Sequence, residues 1–292
     1  MTLVAAITGS DGLALFADTE ATVGDYSKQQ MEKIKCMRER GAEFSYAIGT
    51  ATDSDEYVQM LEWDLRYEIM SQFKSYEPEQ IHEVIKQYLQ DFHAKHIWPR
   101  VDAASAPKLH SLIVLHPNSS TRALPLLLHT TETAVNVVRE PYCCIGVGAH
   151  LANFILKHLI QYCGGSKAHL LAVAAYTLQK VHQDISQIGP PGDIYYFTNR
   201  GPHEVLSKDS DQYKAMLNRI EPMTDVLCSV VRYMTDVTSE HLGTDESLDD
   251  LSIEIAEERS AIQSIFDQER ARAEEYRRQH PPTEADDELF KD

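Results

Sequence analysis

The 292-residue chain is 43% apolar and 25% charged, which suits a globular protein long enough for one large domain plus an extension. No stretch approaches the roughly 20 apolar residues of a membrane span. The first residues lack a basic leader, so a soluble, cytoplasmic protein without membrane partners is expected. A formal net charge of −18 argues against nucleic acid as a main partner, because phosphate binding needs a positive field.

The charge is uneven. Residues 208–292 hold 22 acidic and 10 basic side chains, a net of −12, which leaves −6 for residues 1–207. That shift sets the expected boundary: a domain over 1–207 and an acidic, mainly helical extension over 208–292 with a flexible end. The five cysteines include no Cys-x-x-Cys pair, and an odd number suits reduced thiols better than a disulfide framework.

Leu3–Thr8 is a short apolar run suited to a buried strand, and Gly9-Ser10-Asp11-Gly12 is a turn signal. Leu13–Ala17 follows as a second strand, so the chain opens with a hairpin. Further strands are expected around Met31–Met37 and Phe44–Ile48. Asp53–Phe73 reads as a helix, and a second runs from Pro78 to about Ile97 with Ile81, Val84, Ile85, Leu89 and Phe92 on one face. Leu109–Leu115, Ala123–His129, Ala134–Val138 and Cys143–Val147 read as strands. Helices follow at Ala149–Tyr162 and Ala168–Ser186, then a strand at Ile194–Thr198. Strands segregated from paired helices indicate an α+β fold rather than a parallel βαβ sheet. In the extension, Leu251, Ile255, Ile262 and Phe266 form an apolar stripe expected to pack on its own or a neighbouring subunit. His93 and His96 share a helix without any Asp or Cys set at ligand spacing, so no metal is expected there.

The hairpin has a chemical consequence. With a Ser10-Asp11 loop, Thr2 opposes Thr19; with an Asp11-Gly12 loop it opposes Ala21. Either register leaves Asp18 beside the chain start. An N-terminal threonine offers a hydroxyl and, at a reference pKa of about 7.7–8.0, an α-amine able to act as general base. A lysine nearby would favour the neutral amine, and that lysine would need a carboxylate partner.

Thr2-Leu3-Val4-Ala5-Ala6-Ile7, Asp11–Thr22 and Glu32-Lys33-Ile34 together resemble the opening of proteasome β-subunits and of the related bacterial ATP-dependent two-component protease. The resemblance continues through Ala47-Ile48-Gly49-Thr50-Ala51-Thr52-Asp53, Cys144–Gly148, and Asp184 with the strand Asp193–Thr198. It covers about residues 2–205. It implies a four-layer αββα sandwich, the N-terminal-nucleophile hydrolase fold. Thr2, exposed by loss of Met1, would be the nucleophile, Lys33 the charge that tunes its amine, and Asp18 the partner of Lys33. The Gly49 N–H would form the oxyanion hole. Thr22 would hold an extended peptide, and Ala21, Met31, Lys35, Ala47 and Ala51 would line the specificity pocket. Asp184 and Ser186 match the family's second catalytic region. The implied activity is threonine-type peptidase chemistry on polypeptides, without a cofactor, in a homo-oligomeric ring or related assembly often fed by an ATPase unfoldase.

The chain departs from the family pattern at three places. Val147 stands where catalytic members carry a serine in the Gly-x-Gly turn. Ser186 is one residue out of register with the family's serine after the aspartate. Glu20 stands where many β-subunits carry arginine. Two alternatives therefore accompany the peptidase reading: a catalytically inactive assembly subunit, and a small-molecule amidase using the same threonine.

Overall fold

The computed structural model describes residues 2–23, 27–38, 43–52, 54–73, 75–99, 107–117, 124–160, 165–198 and 203–218. All of them fall within one unit, Met1–Asp225. Of the extension expected over 208–292, residues 211–218 are helical; the part beyond residue 218, with its flexible end, lies outside the described residues, as do Asp53, Cys163 and Cys228.

Two antiparallel sheets dominate. The first, in order β10-β1-β2-β11-β12, joins Tyr142–Gly146 (β10), Leu3–Thr8 (β1), Gly12–Asp18 (β2), Pro191–Thr198 (β11) and Glu204–Leu206 (β12). The second, β5-β6-β7-β8-β9, joins Ile34–Arg38 (β5), Phe44–Thr52 (β6), Leu109–Pro117 (β7), Leu126–Thr131 (β8) and Ala134–Val137 (β9). Glu20–Val23 (β3) and Ser27–Gln30 (β4) form a separate two-stranded ribbon. Four helices pack with these sheets: Asp55–Gln72 (α1), Pro78–Phe92 (α2), Ala149–Leu159 (α3) and Lys167–Asp184 (α4).

Side-chain alternation along β1 shows why this run is apolar throughout. Leu3, Ala5 and Ile7 enter a core shared with α3 and α4, including Leu156, Leu171 and Val181. Val4 and Ala6 point the other way, into a core with Ile34, Ala47 and Leu112 of the second sheet. A strand buried on both faces has no polar positions to spare. The outer face of the second sheet, with Phe44, Tyr46 and Ile48, packs against Leu61, Leu65, Ile81 and Ile85 of α1 and α2.

The hairpin adopts the Ser10-Asp11 register of the two expected: Val4 opposes Ala17 and Thr8 opposes Leu13. Three features differ from the sequence reading. Residues 31–33 are irregular and β5 begins only at Ile34. The β3–β4 ribbon and β12 were not foreseen, because polar strands such as Ser27-Lys28-Gln29-Gln30 carry no apolar alternation. Beyond Phe92 the second helix loosens into a π-helical turn, His93–Ile97, in which buried His93 bonds through Nδ1 to the Leu89 carbonyl at 2.9 Å. Among the described residues no group of three His, Cys, Asp or Glu side chains is placed to hold a metal, and no helix is long and apolar enough to cross a membrane.

One buried acid sits between α1 and the second sheet. Glu62 is bonded by the Thr50 hydroxyl and faces the charge of Lys35, yet burial outweighs both and raises its pKa from 4.5 to about 7. Thr50 is in turn linked to Ser111 at 3.2 Å. Because the folded value lies above the unfolded one, Glu62 binds a proton on folding, and its contribution is lost as pH rises through about 7. The shift corresponds to a contribution on the order of 3 kcal/mol. Urea unfolding of the wild type and Glu62→Gln between about pH 5 and about pH 8 should therefore show the wild type losing ground to the variant as pH rises. A pH-independent gap would show that Glu62 keeps an ordinary pKa.

Candidate active site

The site is built around the end of β2. Asp18, 1% exposed, is the last residue of the strand. Its Oδ1 accepts the Leu3 N–H at 2.7 Å and the Lys33 ammonium at 2.7 Å. Its Oδ2 accepts the N–H groups of Glu20 at 3.2 Å and Gly189 at 3.0 Å. One carboxylate thus ties four segments together: the chain start, the turn into β3, the irregular residues before β5, and the loop after α4. The Lys33 side chain is 2% exposed. An ion pair removed from water to this degree needs further hydrogen bonds to offset its desolvation, and the three backbone N–H groups supply them.

Thr2, 8% exposed, is fixed by its own backbone. Its carbonyl accepts the Gly148 N–H at 3.4 Å, and its neighbour Leu3 bonds to Asp18. Gly146 lies against the same carbonyl with φ +92; a Cβ there would sit 2.1 Å from the Thr2 oxygen and 3.3 Å from the Ala51 Cβ. Only glycine supplies both this backbone conformation and this closeness. Gly49 marks a second tight approach, where a Cβ would fall 2.6 Å from Val4 Cγ1. Gly49 opposes Ile34 in the terminal pair of the β5–β6 ladder, and β6 runs on to Thr52 without β5 beside it. The structure thus gathers Thr2, Asp18, Lys33, Gly49 and Ala51 where the start of β1 crosses β6.

Other residues singled out from the sequence are placed differently. Asp184 ends α4 and is exposed, as is Ser186; the same loop reaches Asp18 through Gly189 instead. Lys35 opposes Ile48, on the α1–α2 side of the second sheet, whereas Ala47 and Ala51 face the space between the sheets. Lys35 pairs with Glu32 at 3.0 Å. Ala21 and Thr22 lie in β3, paired with Gln29 and Lys28; their side chains are outside the described set. Val147, in the turn between Gly146 and Gly148, is 46% exposed.

A cleft of about 260 Å³ opens on the β11 side of Asp18, walled by Met31, Glu32, Lys33, Gly192, Asp193 and Tyr195 among others. Thr2 does not line it: the sheet order places β2 between β1 and β11. Here Glu32 accepts the Tyr195 hydroxyl at 2.6 Å. Burial works against ionisation of Glu32, but the Tyr195 hydroxyl and Lys35 prevail and hold it below its ordinary value. The cysteines offer no competing nucleophile among the described residues: burial pushes the Cys36 thiol up to about 12 and Cys143 to about 11, and Cys144 is raised as well. Gly189 and Tyr195 had not been foreseen as site residues. The Gly189-Pro190-Pro191-Gly192 turn was the available signal for the first.

The fold is similar to that of Anbu. A Gly-1 mutant of Anbu from Hyphomicrobium sp. strain MC1 superposes with a TM-score of 0.60 at 15% identity, over 80% of this chain and 100% of that one. Anbu from Yersinia bercovieri, described as an ancestral beta-subunit, matches with a TM-score of 0.60 at 13% identity, over 79% and 96% of the two chains. The helical assembly of the Anbu complex from Pseudomonas aeruginosa gives 0.57 at 14% identity, over 77% and 95%. No family model matches the sequence, and no curated protein does either.

Breaking the buried pair should be expensive. Asp18→Asn removes the carboxylate that pairs with the buried Lys33 ammonium, and loss of one partner of such a pair costs about 3–5 kcal/mol. A double-mutant cycle with Lys33→Met, read by urea unfolding, should show the second change recovering part of the loss. Strictly additive effects would mean that the two groups do not act as a unit.

Proposed function

We propose that this chain is a threonine-type peptidase with Thr2 as its nucleophile, exposed by removal of Met1 and working in a self-assembled oligomer. The observation that carries the reading is the Asp18 hub, which holds the Lys33 ammonium and the Leu3 N–H on one oxygen. A lysine fixed beside the chain start favours the neutral α-amine, the form that can take the hydroxyl proton. The resemblance of Thr2–Lys33 to proteasome β-subunits and the fold shared with a protein described as an ancestral beta-subunit point the same way. The overall arrangement we assign is the four-layer αββα sandwich.

In this reading Thr2 Oγ attacks the scissile carbonyl while the α-amine accepts its proton. The Gly49 N–H stabilises the oxyanion, the amine returns the proton to the leaving nitrogen, and water releases the acyl group from the resulting ester. Asp18 does not exchange protons with substrate; it positions Lys33. An extended peptide would lie between β3 at Thr22 and the stretch of β6 beyond its β5 neighbour, adding main-chain hydrogen bonds as an extra strand does. Ala47, Ala51 and Met31 would receive the residue before the cut.

Val147 favours a second reading. A valine in the Gly146–Gly148 turn cannot hydrogen-bond toward the terminal amine, as an inactive assembly subunit would tolerate. A fluorogenic peptide assay on protein lacking Met1 separates the two. The peptidase reading expects turnover that falls at least 10³-fold in Thr2→Ala, the usual scale for loss of a nucleophile. Turnover that survives Thr2→Ala would sink the nucleophile assignment, and its absence in both proteins would favour the assembly subunit. A Val147→Ser variant that gains activity would identify the turn as the limiting element.

A further inference from the structure

Helix α1 turns Leu61, Leu65 and Ile69 to the second sheet, and one acid, Glu62, is buried with them. Successive side chains of β6 alternate between the two faces of that sheet. Ala47 and Ala51 face the inter-sheet core, with Gly49 between them. Tyr46 and Ile48 face the helices, and Thr50 continues their row. The Thr50 hydroxyl bonds the Glu62 carboxyl and lies 3.2 Å from the Ser111 hydroxyl, directly opposite on β7. The Ser111 N–H donates to the hydroxyl of Thr130, opposite it on β8, at 3.2 Å. All of these residues are buried. A polar row thus crosses three strands beneath α1 and ends on Glu62.

Apolar packing alone would seat α1, and a buried carboxyl works against it. The charged and titratable groups that face Glu62 are Lys35, which attracts it, Glu32, which repels it, and Tyr46. Lys35 is itself paired with Glu32 at 3.0 Å. What the acid holds is a particular point of β6. The β5–β6 ladder ends at Ile34 and Gly49, so Thr50, Ala51 and Thr52 have no β5 neighbour. β7 secures one edge of that stretch, and the Thr50–Glu62 bond ties it to the helix layer. Tyr46 strengthens the tie from the same strand, its hydroxyl donating to the Glu62 carbonyl at 3.4 Å. We propose that Glu62 is a positioning residue for peptide hydrolysis, acting through Thr50 to fix the Gly49 N–H and the β6 edge that would receive substrate. The inference rests on the Thr2 peptidase reading above. It gives Glu62 no contact with substrate and no proton in the reaction. A donor serves catalysis only if it is aimed where the oxyanion forms, and a slight misplacement lowers kcat more than it raises KM.

The test measures kcat, KM and urea unfolding on full-length protein lacking Met1, with a fluorogenic peptide at about pH 8, where Glu62 is ionised. Thr50→Val keeps the shape of residue 50 without its hydroxyl, and Glu62→Met keeps the bulk of residue 62 without its carboxyl. Each should lower kcat about 10-fold with KM within about 2-fold of wild type. The double variant should be no slower than the slower single variant, because both changes cut one link. Thr50→Ser and Glu62→Gln keep the bonding atoms and should recover most of the loss. Unfolding separates positioning from mere support. Replacing a buried acid by an apolar side chain should leave the urea midpoint of Glu62→Met at or above that of wild type while kcat falls. Thr2-dependent turnover unchanged in Thr50→Val and Glu62→Met would overturn this inference alone. So would losses that follow the urea midpoint, or single losses that multiply in the double variant. Turnover absent from the wild type, or surviving Thr2→Ala, would remove the peptidase reading and this inference with it.

Discussion

The Asp18 carboxylate is the constraint on which the rest of the site depends. Its two oxygens receive one ammonium and three backbone N–H groups, and these come from segments far apart in the sequence. Burial makes the arrangement demanding. A carboxylate shielded from water leaves neither oxygen cheaply unpaired, and Lys33 beside it has the same requirement. The irregular backbone at residues 31–33 and the loop before Pro190 are therefore positioned by the charge they serve. The glycines at 146 and 49 act on the same point from outside, allowing the Thr2 carbonyl and Val4 to approach surfaces that any side chain would hold away.

Much of this was legible in the sequence. The continuous apolar run of β1 identified a buried strand, and the Gly9-Ser10-Asp11-Gly12 turn limited the hairpin to two registers. Both registers left Asp18 near Thr2, so the juxtaposition survived the ambiguity. Helices α2 and α4 were legible because their apolar positions recur at helical spacing over many residues. The π-helical turn at His93 was not, because a change from one helical hydrogen-bond pattern to another leaves no mark in periodicity.

The failures share a physical cause. β3 and β4 pair through backbone groups, which every residue carries, so their polar side chains gave no signal. The resemblance grouped Lys35 with Ala47 and Ala51, and pairing with Ile48 sets it on the other face of the sheet, because a face is fixed by register. Glu62 was invisible as a special residue because one acid in a charged helix looks like any other. Its altered pKa comes entirely from the neighbours that α1 meets on folding. The Gly189 contact depends on where a loop returns after α4, which no local pattern encodes.

The central claim is that Thr2, rather than another nucleophile, is poised by the Asp18–Lys33 pair. Its most direct measurement is covalent capture: incubate the purified protein with a peptide bearing a carbonyl-directed electrophile, then read intact mass and map the adduct by fragmentation. The account predicts a single adduct on residue 2 of a chain that has lost Met1, and none when Asp18 is replaced by asparagine. An adduct elsewhere, or an unlabelled chain that retains Met1, would contradict it.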